Sequence, residues 1–207
     1  MPTYAHSLDQ GADAVIGVLD ALDIKRAILA FSCANGFYAA RAAQIAPHRI
    51  ASLFLSQTPS LGAMHVWADR VIPWPIRVPL LGQSLGWLTR QKAARAWYDI
   101  ALPKGADREA YRRTADDALS AGACFCLASV VQGLARQTPV RQDAFAGPCT
   151  VIWGAKDWSH RHTRADSVRD YMPQTEIVQF DDCGHFPDLE QPERYAQLLL
   201  REVMKTS

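Results

Sequence analysis

The sequence predicts an α/β fold, a reduced parallel sheet of about four strands flanked by helices and carrying a helical cap insertion. Three observations predict it. Short apolar runs alternate with segments of helical spacing at both ends of the chain, the pattern of strands buried on both faces. Residues 60–141 between them hold no convincing strand. Small polar or titratable residues follow the apolar runs, where the carboxyl edge of a parallel sheet would lie.

Taken in order, Ser7-Leu8-Asp9 is a plausible helix start. Ala12, Val15, Ile16, Val18, Leu19 and Leu22 then recur at helical spacing up to Asp23. Ala27 to Phe31 is an apolar strand that stops at Ser32-Cys33-Ala34-Asn35-Gly36, and an alanine-rich helix runs from Phe37 to Ala46, stopped by Pro47. This is strand, sharp turn, helix. A nucleophile in the turn, Ser32 or Cys33, would stand above the free N–H groups of the new helix. Ile50 to Leu55 is the second strand.

From Gln57 the pattern changes. Four prolines (Pro73, Pro75, Pro79, Pro103) and helical patches around 84–100, 108–121 and 124–136 mark an insertion. Trp67, Trp74, Trp87 and Trp97 in it are expected either to line the underside of a lid over an apolar substrate or to hold a helical subdomain together. Strands return at Cys149 to Trp153 and Glu176 to Phe180, with a helix expected between them at 163–171, and Glu193 to Met204 closes the chain as an amphipathic helix with Pro192 at its start. The expected organisation is a discontinuous core, 1–59 and 142–207, with a cap at 60–141.

Composition narrows the function classes. With 207 residues, 49% of them hydrophobic, the chain can bury a good core. A net charge of +1 gives no electrostatic footprint for nucleic acid, so a neutral or amphipathic small molecule is the expected partner. Neither a leader at Met1 to His6 nor a membrane-spanning segment is evident, and a cytoplasmic protein without membrane attachment is expected. Cys33, Cys124, Cys126, Cys149 and Cys183 lack paired spacing, so neither disulfides nor a metal site is expected; Cys124 and Cys126 read as buried thiols. His160 and His162 read as loop polarity, with no third ligand near them in sequence.

Cys33 (or Ser32), Asp157 and His185 each follow a predicted strand, in the order nucleophile, acid, histidine. Asp181 and Asp182 are rival acids, too near His185 in sequence to reach it well. On these residues the chain resembles the α/β-hydrolase fold family along nearly its whole length. Leu29 to Pro59 looks like the nucleophile elbow, its helix and the next strand. Trp153-Gly154-Ala155-Lys156-Asp157 looks like the acid loop, and Cys183-Gly184-His185-Phe186-Pro187 through Glu193 looks like the histidine loop and final helix.

The resemblance implies that His185 is the general base, that Asp157 holds its ring, and that the insertion is the cap. Where the family has Gly-x-Ser-x-Gly, two registers are open. One places Cys33 at the nucleophile position and keeps the following helix in register; the other places Ser32 there, between Ala30 and Ala34. With Cys33, the oxyanion-hole donor that can be assigned is the N–H of Ala34. No Gly-rich loop for a second donor precedes the elbow strand, and Ala27 to Phe31 would be an exposed sheet edge, to be covered by further sequence or by another copy of the chain in a homo-oligomer. The implied activity is hydrolysis of an ester or related acyl bond, with no cofactor. A catalytically silent hydrolase-fold protein that binds a small apolar ligand is the alternative, and acyl transfer is a third reading.

Overall fold

The computed structural model describes residues 6–137 and 145–206. Residues 1–5, where no leader is expected, and the expected domain boundary at 141/142 lie outside the described residues.

Four strands form one parallel sheet in the order β1-β2-β3-β4: β1 (Ala27–Ser32), β2 (Ile50–Ser56), β3 (Cys149–Gly154) and β4 (Glu176–Phe180). Every residue of β2 and β3 is buried, which explains their unbroken apolar patterns. The register sets Ser32 beside Ser56, Ser56 beside Ile152, and Gly154 beside Phe180. The carboxyl ends therefore finish within about two residues of one another along the sheet, and β1 is an edge strand, as expected.

Alternation along the strands divides the core. Leu53, Leu55, Val151 and Trp153 face one side, where α1 (Leu8–Ala21) and α2 (Gly36–Ile45) cover them with Ala12, Leu19, Ala39 and Ala43. Phe54, Ile152 and Phe180 face the other, under α8 (Pro192–Thr206) with Tyr195, Leu198 and Leu199. Full burial of Leu53, Phe54 and Leu55 contributes roughly 1.5–3 kcal/mol each. Local signals start the helices where they were expected. Ser7 Oγ accepts from Gln10 N at the head of α1, and Pro47 follows the end of α2.

Between β2 and β3 the described chain is helical: α3 (Leu61–Val71), α4 (Leu81–Ala101), α5 (Arg108–Ala118) and α6 (Cys124–Ala135). Sequence patterning did not resolve α3, whose start is capped by Ser60 Oγ accepting from Ala63 N. Phe37, Tyr38, Leu61, Met64, Trp67 and Leu134 form a second core that ties α3 and α6 to α2.

Three expectations are corrected. The helix expected at 163–171 is shorter, a tight 3-10 stretch over Ala165–Asp170. A four-residue helix α7 (Pro187–Glu190) precedes α8. The helical run Arg108–Ala135 is long and apolar enough to cross a membrane by length and composition. A widened turn at Leu119–Ala123, with Gly122 at φ 105°, kinks it.

Candidate active site

At the end of β1, Ser32 is still extended (φ −123°, ψ 151°), and the chain turns at Cys33, whose φ is +51°. The left-handed region costs a residue that carries a Cβ roughly 1–2 kcal/mol. Such strain persists only where the surroundings enforce it. Thr58, just past β2, does so: its hydroxyl donates to the Cys33 carbonyl at 2.9 Å. The same side chain fills the space beside Gly36, where a Cβ would collide with it. Helix and strand can approach this closely because residue 36 is glycine. Cys33 is thus the residue at the sharp turn, and Ser32 stays in the strand opposite Ser56.

Asp157 follows β3 and His185 follows β4. His185 Nδ1 lies 2.6 Å from Asp157 Oδ2, and both side chains are buried. The same oxygen accepts from Gln57 Nε2 at 2.6 Å. The other, Oδ1, accepts from Ser159 N at 2.9 Å, Ser159 Oγ at 2.5 Å and His160 N at 3.4 Å. Burial pushes this carboxyl up, but the His185 hydrogen bond and charge, with support from His160 and Ser159, hold it below the usual carboxylate range. The rivals do not reach: Asp181 and Asp182 are exposed, and Asp182 pairs with Lys156.

The histidine loop is anchored by backbone. Glu190 accepts from Gly184 N at 2.8 Å and Phe186 N at 2.9 Å, bracketing His185. His185 N donates to Ala101 O, the last residue of α4, at 2.7 Å. Gly184 has no room for a Cβ against that carbonyl, and Gly154 has none against the Gly184 carbonyl. The acid and histidine loops therefore meet backbone to backbone, with Lys156 N donating to Cys183 O at 2.8 Å.

His160, expected as loop polarity, is 2% exposed. The Asp157 carboxylate caps the short turn Trp158–His160 and so folds this ring inward. It stacks on Trp67 (centroids 5.0 Å, 4°) and on His185 (5.4 Å, 20°), with Trp153 edge-on at 5.6 Å. Cys33 Sγ and one ring nitrogen each of His160 and His185 lie within 4.8 Å of one another, a set of atoms able to hold a metal ion. His162 is exposed.

Electrostatics follow from this packing. Burial alone would raise the Cys33 thiol, but the His185 charge and the hydrogen-bonding reach of His160 and His185 override it and bring the thiol down to about 6. Burial alone would lower His185; the Cys33 charge and the Asp157 hydrogen bond override it and push the imidazole up to about 10. The two shifts point the same way, toward a thiolate beside an imidazolium. Cys149 and Cys183 are instead raised, chiefly by burial, to about 11 and about 12. Cys124 is buried as expected, whereas Cys126 is exposed.

The four tryptophans of the insertion divide. Trp67 from α3 donates its Nε1–H to Ser159 O at 3.0 Å, and Trp97 from α4 stands edge-on to His185 at 5.0 Å. Trp74 and Trp87 are exposed and touch none of this. An open cavity of about 400 Å³ shares Trp67 and Ser159 with the site's surround and is lined further by Ala63, Val66, Arg70 and Arg164, but not by Cys33 or His185.

Gln57, Thr58, His160 and Glu190 were not singled out as site residues from the sequence. Gln57 and Thr58 did carry a signal, because they follow β2 as Cys33 follows β1. His160 carried one too, three residues after an aspartate able to cap a turn.

A family model described as the alpha/beta hydrolase family matches residues 2–198. A search of curated proteins returns no match. Among solved structures, a hydrolase from Pseudomonas aeruginosa aligns at 20% identity and TM-score 0.71, covering 98% of this chain and 74% of that one. A thermophilic esterase from Thermogutta terrifontis aligns at 19% and 0.70, covering 97% and 73%. A bromoperoxidase from Bacillus anthracis aligns at 13% and 0.72, covering 99% and 76%. Likenesses this distant establish the fold, and the differing activities these proteins are named for show why function has to be argued from the site.

Proposed function

The chain belongs to the alpha/beta hydrolase family, and on that premise we propose that it hydrolyses an ester or related acyl bond with Cys33 as nucleophile, His185 as general base and acid, and Asp157 as the group that orients and charges the histidine. The observation that carries this reading is the conjunction at one sheet edge. A strained cysteine at a strand-to-helix turn faces a histidine whose far nitrogen is held by a buried carboxylate at 2.6 Å.

In the first half-reaction the Cys33 thiolate attacks the acyl carbon. The C–S bond forms as the carbonyl electrons move onto oxygen, which the N–H of Ala34 is placed by sequence to receive. Collapse of the tetrahedral adduct expels the alkoxide, which takes the proton from His185 Nε2 and leaves as alcohol. In the second, His185 takes a proton from water, the hydroxide attacks the thioester, and the Cys33 thiolate leaves with the restored imidazolium beside it. Asp157 keeps the ring in the tautomer with Nδ1–H and does not itself accept the proton. Gln57 and Ser159 hold Asp157 in turn.

The insertion, helical over α3 to α6, acts in this reading as the cap. Its support is that Ala101 and Trp97 of α4 rest on the histidine loop. The partner is a small, apolar or amphipathic acyl substrate, in keeping with the aromatic surround and a net charge of only +1. The esterase among the structural neighbours is consistent with the same chemistry.

The test is turnover of short p-nitrophenyl esters by purified protein and its Cys33→Ala variant. Turnover abolished by the substitution is the expected result. Undiminished turnover in the variant would exclude Cys33 and move the assignment to Ser32. No turnover at all, with an apolar ligand raising Tm, would favour a binding protein instead.

A further inference from the structure

One thiol and two imidazoles converge above the sheet, and we propose that Cys33, His160 and His185 form a binding site for Zn2+. The ion would take the same Cys33 sulfur and His185 Nε2 that the acyl chemistry above uses, and so would block that chemistry while bound; metal occupancy is read directly, independently of turnover.

The ligand set is the first argument. A thiolate with two imidazoles leaves a fourth tetrahedral position open, the arrangement of sites that hold zinc with three protein ligands. The three ligand atoms lie within 4.8 Å of one another. Around tetrahedral Zn2+ the separations would be about 3.3–3.6 Å, from Zn–N of about 2.0–2.1 Å and Zn–S of about 2.3 Å. Closing the set takes shifts of about 1 Å. Cys33 has one side-chain torsion to adjust, and the two rings, stacked on each other and on Trp67, have to close whatever part of the gap lies between their nitrogens.

The second argument is the outer shell. Metal-bound imidazoles have the other ring nitrogen held by an oxygen, which sets ring orientation and raises basicity. Both histidines meet that condition: His185 Nδ1 faces Asp157 Oδ2 at 2.6 Å, and His160 Nδ1 faces Thr163 Oγ1 at 3.2 Å. In each ring Nε2 is therefore the nitrogen left over.

The third is an under-partnered nitrogen. His160 Nε2 is buried, in a ring 2% exposed, with no hydrogen-bond partner among the described residues beyond the reach of the Cys33 thiol itself. Triad chemistry needs a single histidine, so the second is unexplained by it. A metal ion satisfies this nitrogen. Soft thiolate and borderline imidazole favour Zn2+ over Mg2+ and Ca2+, which take oxygen ligands. Binding forms one Zn–S and two Zn–N bonds, and the proton held between Cys33 and His185 leaves to solvent with no change of oxidation state. The Cys33 lone pair is then engaged, so Zn2+ would also shield the thiol from alkylation.

The experiment is a calorimetric titration of metal-stripped protein with ZnCl2 alone, with CoCl2 in parallel to detect sulfur-to-cobalt charge-transfer absorbance. The expected result is one equivalent bound, not displaced by excess MgCl2, with Cys33 labelling by iodoacetamide slowed on addition of Zn2+. Cys33→Ser and His160→Gln should each weaken binding by more than about tenfold, and Thr163→Val by about ten- to a hundredfold through the outer shell. Absence of stoichiometric Zn2+ binding, or binding undiminished in both Cys33→Ser and His160→Gln, would overturn the site. Should His160→Gln lose its far-UV circular dichroism, the isosteric Cys33→Ser variant decides alone. An inactive esterase that binds Zn2+ through these residues would sink the acyl reading and leave this one standing.

Discussion

Asp157 Oδ2 serves two donors at once, His185 Nδ1 and Gln57 Nε2, each at 2.6 Å. Gln57 also accepts from Gly154 N at 2.9 Å, so one fully buried amide ties the end of β2 to the start of the acid loop. Gln57→Leu would leave the Gly154 N–H unpaired and remove one donor from a buried carboxylate. The expected loss is about 1–3 kcal/mol, measured by urea unfolding. The pH dependence has a defined sign. The folded-state carboxyl is held below its unfolded value, so its contribution is present above the ordinary carboxylate range and is lost as pH falls through the lowered folded value. Without Gln57 that folded value moves up toward the unfolded one, so the carboxylate's contribution should be smaller in the variant and its acid loss, which starts in the same range, should be complete at higher pH.

The Cys33 thiol, held at about 6, should be alkylated by iodoacetamide with a half-maximal rate near that pH, site-resolved by mass spectrometry. Cys149 and Cys183, at about 11 and about 12, are internal controls that stay unmodified at neutral pH. His185→Gln removes the charge that stabilises the thiolate, so the Cys33 midpoint should rise toward the ordinary thiol value of about 8.5. An unchanged midpoint would show that the pair is not coupled.

Any Cys33-dependent turnover should follow the same pair. Its kcat/KM rises as the thiolate forms through about 6 and falls as the imidazolium is lost through about 10. These are properties of the coupled pair rather than of either residue alone. A profile that keeps rising beyond the upper value would contradict the ion-pair form.

Strain at the turn has its own signature. Cys33→Gly and Cys33→Ala both remove the thiol, but only glycine accepts a φ of +51° without steric cost. The glycine variant should be the more stable by roughly 1 kcal/mol in urea unfolding. Equal stabilities would mean that no strain is held at residue 33.

Glu190 holds the N–H groups on either side of His185. Glu190→Ala should speed hydrogen exchange at Gly184 and Phe186 and raise the Cys33 alkylation midpoint, because His185 is then less firmly placed. Glu190→Gln, which keeps one acceptor oxygen, should fall between the variant and the wild type in both measurements.

Much of the fold was legible because its signals are local. The unbroken apolar runs of β2 and β3 report burial on both faces, and Ser7 and Pro47 mark helix ends by chemistry confined to one turn. Other features had no local signal strong enough to read. Trp67 and Trp97 reach the histidines while Trp74 and Trp87 face solvent, although all four occupy one insertion of similar composition. Residues 163–171 read as a helix, and the chain there forms a 3-10 stretch over Ala165–Asp170.

The sequence by itself determined the fold class, the four strands, and the placing of Cys33, Asp157 and His185 after three of them, because strand ends and helix starts are written in runs of adjacent residues. It left Cys33 and Ser32 as rivals for the turn. Tertiary structure decided that the left-handed residue is Cys33, held by Thr58 from the neighbouring strand. It also decided that Gln57 meets Asp157 across about a hundred residues of chain and that His160 is a buried ring at the thiol. The physical reason is common to all three. A buried polar group is defined by the partner that satisfies it, and here those partners come from other strands and loops.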